Sequence, residues 1–276
     1  MTYEPTQKGN PHKLTIHQHT FPKTSISRFC DERGNVSVYK IAQRKVISLK
    51  PKDIMFCAQR TWDHKSEISH IKAIEDSFQS LVKRILSGSI NKLGILDTIT
   101  INEFYCLWNI RNDHKHNRIK DQSIAGENII GLARNFSQDE MEQLEKAGIY
   151  YIRPDLTIPG RFLAGPHIAL NMRSASEKMS DARWGILRAA HGEFIVPDNF
   201  NNQRIVPLSP TACLFSPLQK ENTILDLKRV SKINLFANGS ADLDLQGVAE
   251  INRFAIETSH EYFFARNLKK CPVVFP

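Results

Sequence analysis

The chain has 276 residues, 41% hydrophobic and 24% charged, which gives enough apolar material to bury a core as one large domain or two small ones and excludes a disordered polymer. Lysine and arginine outnumber aspartate and glutamate by 37 to 29, a formal charge of +8; the surface favours anionic partners, although solubility alone accounts for such a surplus in many proteins. Cys30, Cys57, Cys106, Cys213 and Cys271 are odd in number and contain no C-x-x-C pair, which argues against a disulfide framework and a zinc ribbon.

Met1 to Lys13 has no apolar signal core, and no window approaches the ~20 apolar residues of a membrane-crossing helix, so the expectation is a cytoplasmic protein with no membrane partner. Residues 1–13, with Pro5, Gly9 and Pro11, read as a flexible arm ahead of a single α+β domain over 14–276, with 14–148 and 149–276 as a candidate subdivision. Thr20 to Ile41 holds a short apolar-polar element, a turn at Asp31 to Asn35, and an alternating strand Val36 to Ile41, a short hairpin around that turn; Lys45 to Leu49 alternates again and ends the small β region. From Asp63 to Leu86 the apolar residues recur at helical spacing until Ser87-Gly88-Ser89. A second helix, starting near Thr98 or at a capping box of Thr100 and Glu103, runs through Arg111 and makes a central helical hairpin with the first. A third spans Ser137 to Ala147, with Glu140 completing a capping box and Gly148 as the stop. Tyr150 to Arg153, Phe162 to Leu163, Phe194 to Val196, Arg204 to Val206 and Thr211 to Leu214 read as short strands. Helices are expected at Ser176 to Ala190 and Val248 to Phe264. The class is α+β: a short N-terminal hairpin, a central helical hairpin and C-terminal mixed strands with flanking helices.

Several stretches carry a resemblance. His17-Gln18-His19-Thr20-Phe21-Pro22, then Ile26, Arg28-Phe29 and Gly34 to Tyr39, are followed by Leu107 to Arg111, Phe194 to Asn199 and Pro207-Leu208-Ser209-Pro210. In that order they resemble an uncharacterised prokaryotic family that opens on a His-x-Tyr/Phe-Pro element and has a later strand ending in Asp-Asn. The chain departs from it where Gln18 stands in place of a commoner histidine and Asn112 follows the arginine. The family supplies fold-level company and no mechanism.

Arg111-Asn112-Asp113-His114-Lys115-His116 is similar to the R-x(4)-H motif of HEPN-type ribonucleases. The resemblance implies an RNA-directed endoribonuclease of toxin or phage-defence type that needs no cofactor. Arg111 would clamp the phosphate, Asn112 orient it, His116 act as general acid/base, and His114 stand as a second candidate. An antitoxin or defence-system partner goes with such an enzyme. Residues five apart lie ~140° apart around an ideal helix, so the pair converges only where the helix ends or a second subunit of a homodimer contributes. The competing reading is a polar helix end whose cations complement the dipole.

A second constellation is His17 and His19, two apart and so on one face of a strand, with Asp198 completing a divalent-metal site of a nuclease or hydrolase, Glu193 as base and His191 nearby. Against it, His19 and Arg28 pair inside the hairpin and Asp198 caps a turn. A third reading keeps only binding. Lys45, Lys115, Arg118 and Lys120 form a strip for nucleic acid, RNA above all, or for a protein, in a module that cleaves nothing. No P-loop, dinucleotide fingerprint, nucleophile elbow or H-E-x-x-H occurs.

Overall fold

In the computed structural model, which describes residues 3–124, 135–199, 204–216 and 239–272, helices and strands mix as an α+β fold. The first half forms β1 (His17–His19), α1 (Lys23–Ser27), β2 (Val36–Lys40), β3 (Lys45–Leu49), β4 (Cys57–Gln59), α2 (His64–Ser66), a π-turn (Glu67–Ile71) and α3 (Lys72–Leu86). There follow α4 (Ile95–His116), β5 (Gln122–Ser123), α5 (Gln138–Lys146), β6 (Thr157–Ile158), α6 (Gly160–Lys178) and β7 (Gly185–Ala189). The last elements are β8 (Val196–Pro197), β9 (Ile205–Ser209), β10 (Ala212–Phe215), β11 (Ser240–Leu243), α7 (Leu245–Thr258) and β12 (Tyr262–Ala265).

Among the described residues one sheet runs β3-β2-β12-β8 and another β11-β7-β10-β9, with β1-β4 and β5-β6 as separate pairs. Among the described strands β11 alone lies parallel to its neighbour. Val38 of β2 is registered with Phe264 of β12, so one sheet joins strands from early and late in the chain.

The two alternating stretches form strands and pair with each other as β2 and β3, in the register Val36↔Leu49 to Lys40↔Lys45, whereas the hairpin expected around His19 and the Asp31 turn does not form: β1 pairs with β4, and Lys23–Ser27 is the helix α1. The helical hairpin does form. Phe78 of α3 stacks on Phe104 of α4 with ring centres 3.6 Å apart, and Phe21 covers Trp108 at 4.2 Å. Asp63 starts the first helical run by accepting the Ser66 N–H at 2.8 Å. Ser137 and Glu140 form the expected capping box, the Ser137 N–H donating to Glu140 at 2.9 Å. Ser137→Ala should cost about 1 kcal/mol, read as faster amide exchange across α5.

Central strands hid from the sequence pattern. β7 lies between β11 and β10, and Gly185-Ile186-Leu187 is buried throughout, so it reads as a continuous apolar run rather than an alternating one. The helix expected at Ser176 to Ala190 is therefore the end of α6 followed by this strand. For the same reason the last helix stops at Thr258, and Tyr262 to Ala265 is a buried strand. Phe162 and Leu163, expected as a strand between turn residues, lie in α6: Pro159 occupies its N-cap and Pro166 sits inside it. Tyr150 to Arg153 is irregular, and the strand expected at Phe194 to Val196 is two residues, Val196–Pro197. α4 starts at Ile95 rather than near Thr100; Asp97 accepts the Gly94 N–H at 2.9 Å, and Thr100 donates back to the Leu96 carbonyl at 3.0 Å.

The segment expected as a flexible arm is tied down over its described part. The Gln7 N–H donates to Glu142 at 2.6 Å, His12 reaches Asp139 at 2.7 Å, and Glu4 pairs with Arg153 at 2.7 Å. Its polarity looked like solvation because its partners lie on α5 and beyond, far along the chain. No helix of the described residues is long and apolar enough to cross a membrane. The five cysteines are free, and burial pushes the Cys57, Cys106 and Cys271 thiols up to about 12, so they pack rather than react.

Candidate functional site

The helix end of α4 carries two different environments. Arg111 faces inward with 1% of its surface exposed; its guanidinium donates to Glu75 and, at 3.2 Å, to both oxygens of Glu67. It also lies 5.2 Å from the centre of the Trp62 ring, whose indole N–H donates to Glu67 at 2.6 Å. Eight residues of unbroken α-helix would swing Glu75 about 80° away from Glu67. The π-turn at Glu67–Ile71 absorbs one residue, so the spacing acts as a heptad and both carboxylates reach one guanidinium. Burial opposes the Arg111 charge, but the two carboxylates outweigh it and raise its pKa. An arginine so enclosed and neutralised is not a phosphate clamp, which corrects that expectation. Asn112 is also buried, so it does not orient a substrate phosphate.

His114 is buried as well and packs on α6, its Nε2 lying 3.1 Å from Nδ1 of His167. It holds two helices together rather than acting on a substrate. Burial lowers the pKa of His114, and likewise of His19 and His64, below the ordinary imidazole range. The folded state binds these protons more weakly than the unfolded chain, so these groups' contribution is intact above about pH 6.5 and falls as acid is added. The urea midpoint should therefore drop between pH 7.5 and pH 5.5, with a shallower drop in His114→Gln.

His116 stands apart from this buried group. It is exposed, and its ring centre lies 6.5 Å from that of His260, at the start of the turn into β12. Asn199 Nδ2 is 3.0 Å from the His260 ring, and Lys115 bridges the Met55 carbonyl at 3.1 Å and Glu261 at 2.9 Å. Burial works against the Glu261 charge, but Lys115, His116 and His260 outweigh it and hold the carboxyl below its usual range. Beneath them Asp198 accepts the backbone N–H groups of His260 at 2.8 Å, Glu261 at 2.7 Å and Tyr262 at 3.2 Å. The turn that carries His260 is thus fixed by one buried carboxylate. Asp198→Ala strands those donors and should destabilise the protein by about 2 kcal/mol in urea unfolding.

The metal constellation does not assemble. His17 and His19 share a face of β1, yet His19 bonds the Pro51 carbonyl at 2.9 Å, Asp198 has its oxygens committed to three N–H groups, and Glu193 pairs with Arg266 at 2.6 Å. Arg28 donates to Gln79, not to His19. The described residues contain no group of three or more His, Cys, Asp or Glu side chains placed to hold a metal ion. Gln18 is fully buried and clamps the chain by accepting from the Thr61 N–H at 2.6 Å and donating to the Trp62 carbonyl at 2.8 Å.

The basic residues divide. Lys45 stands on the hairpin strand β3, Lys115 beside His116, and Arg118 and Lys120 line a groove with Arg60, Arg153 and Arg161. Sequence reasoning passed over His260 and these three arginines. They sit at no mutual spacing, and Ser259-His260 fell inside the expected last helix; Ser259 as the residue after its final turn was the available signal.

No protein-family model matches the chain, and neither the curated proteins nor the solved structures give a significant match. The chemistry of the site rests on its residues.

Proposed function

We propose that the protein is an RNA-directed endoribonuclease whose acid and base are His116 and His260. The observation that carries the reading is the pair of exposed imidazoles with ring centres 6.5 Å apart, beside Lys115 and Asn199. One neutral imidazole accepts the 2′-hydroxyl proton as that oxygen attacks phosphorus, and the other, protonated, gives its proton to the departing 5′-oxygen. The products are a 2′,3′-cyclic phosphate and a free 5′-hydroxyl. Lys115 adds positive charge where the phosphorane gathers negative charge. Both imidazoles come from one chain, so this chemistry does not call for a homodimer. On this reading the protein works in the cytoplasm, as a toxin or antiviral effector kept in check by a protein partner.

The test is incubation of purified protein with single-stranded RNA and with DNA of the same sequence, with and without EDTA. RNA should be cut to cyclic phosphate ends in either buffer, and DNA, which lacks the 2′-hydroxyl, left whole. Cutting of DNA, or cutting that stops with EDTA, would overturn the assignment. A second reading, binding without cleavage, is favoured by the groove around Arg118.

A further inference from the structure

The groove beside the N-terminal segment has a volume of about 770 Å³, and its walls hold five cations, Arg60, Arg118, Lys120, Arg153 and Arg161, against three carboxylates, Glu4, Asp121 and Asp155. We propose that this groove is a binding site for a phosphate monoester, and that the Glu4 carboxylate stands in it where the phosphate would lie.

The charge balance is incomplete without Glu4. Arg60 and Arg161 have only 2% and 5% of their side chains exposed, and they share one equally buried carboxylate, Glu145, at 2.6 Å and 2.9 Å. Arginine does not shed its proton at any ordinary pH, so two buried guanidinium groups on one carboxylate leave a positive charge uncompensated. Glu4 supplies the missing anion: its carboxylate accepts from Arg161 and, at 2.7 Å, from Arg153, while its backbone carbonyl accepts from Arg60 at 2.9 Å.

The groove still has unmet capacity with Glu4 in place. Arg60 Nε is buried and has no hydrogen-bond partner. Arg118 donates to the carbonyls of Gln59 and Arg60, and among the described residues no carboxylate pairs with it or with Lys120. A phosphate monoester carries about −1.5 to −2 charges and three acceptor oxygens, against one charge and two oxygens on a carboxylate. Planar guanidinium forks suit those oxygens in pairs.

Glu4 stands at the edge of the groove: its side chain is 35% exposed, and the N-terminal segment that carries it is fastened to α5 through Gln7 and Glu142 and through His12 and Asp139. Ligand and carboxylate compete for the same guanidinium groups, so removing the Glu4 charge should tighten ligand binding.

The experiment uses the full chain, with an RNA oligonucleotide 2′-O-methylated throughout, so that the 2′-hydroxyl route of cleavage is closed and the result is independent of the ribonuclease assignment. Binding is measured by fluorescence anisotropy for a 5′-phosphorylated and a 5′-hydroxyl version of the oligonucleotide, and thermal stability is followed with inorganic phosphate alone. Glu4→Gln should bind the phosphorylated oligonucleotide about tenfold more tightly than the wild type does, a change worth about one decade of Kd. Lys120→Ala should weaken it several-fold with an unchanged melting temperature in the absence of ligand. Preference for the 5′-phosphorylated oligonucleotide identifies a nucleic-acid end as the source of the phosphate. Stabilisation by inorganic phosphate, enlarged in Glu4→Gln and without preference between the oligonucleotides, identifies a free phosphate compound. If Glu4→Gln gains nothing toward either probe, the carboxylate is only a structural ion pair and the proposal fails.

Discussion

His116→Ala is expected to lower RNA cleavage by about 10²- to 10⁴-fold, the usual contribution of one positioned acid or base. His260→Ala should lower it to a similar degree, and the double variant little further, because the two groups act in one step and their losses do not add. Wild-type activity should follow a bell-shaped pH profile, since one imidazole must be neutral and the other protonated. Each single variant should lose one limb of the bell. That loss of a limb separates a catalytic role from mere support of the fold, which would lower activity at every pH alike. Both histidines are on the surface and neither is part of the core, so circular dichroism spectra and urea midpoints should match the wild type. If both variants cleave as well as the wild type, the imidazole pair is not the catalytic centre.

Arg111→Ala should instead fail as a fold. Removing one partner of a buried ion pair costs about 3–5 kcal/mol, because the remaining charge keeps its burial and loses its compensation. Here the loss leaves Glu67 and Glu75 facing each other beneath the Trp62 ring with nothing between them. Burial already raises the Glu75 pKa while Arg111 and its hydrogen bond lower it. Without the arginine that carboxyl rises further, so the folded variant holds its proton more tightly than the unfolded chain does. The penalty should therefore shrink as pH falls from 7.5 toward 5, through the raised pKa. Urea unfolding at the two pH values measures it, and Arg111→Met with Glu67→Gln and Glu75→Gln should recover much of the loss by removing all three charges. The fraction of Arg111→Ala that remains folded at low temperature should still cleave RNA. An Arg111→Ala protein that is fully stable and inactive would restore the arginine as a phosphate clamp.

These expectations exchange the two parts of the R-x(4)-H motif. The geometric objection to that motif, an angle of about 140° between residues five apart, is realised in α4. Arg111 turns inward to α3 and His116 turns outward to β12, and no helix end intervenes between them because α4 continues to His116. His116 then finds its partner in a segment that the sequence pattern assigned to a helix.

What the sequence determined by itself is what near neighbours decide. Alternation marked β2 and β3 as strands, helical periodicity gave α3 and α4 their buried faces, and a serine three residues before a glutamate gave α5 its start. The excess of positive charge was legible as a total. Tertiary structure decided which of those charges are free. Glu67 and Glu75 neutralise Arg111 because a π-turn aligns them, and Glu145 and Glu4 meet Arg60 and Arg161 because α5 and the N-terminal segment fold onto the same groove. His260 stands by His116 because β12 pairs between β2 and β8 and Asp198 fixes the turn that precedes it. Hydrogen bonds along one helix or hairpin link residues a few positions apart, and composition and spacing record them. Side chains brought together by strand pairing across the length of the chain leave no such periodic trace, since their proximity depends on the whole core being in place.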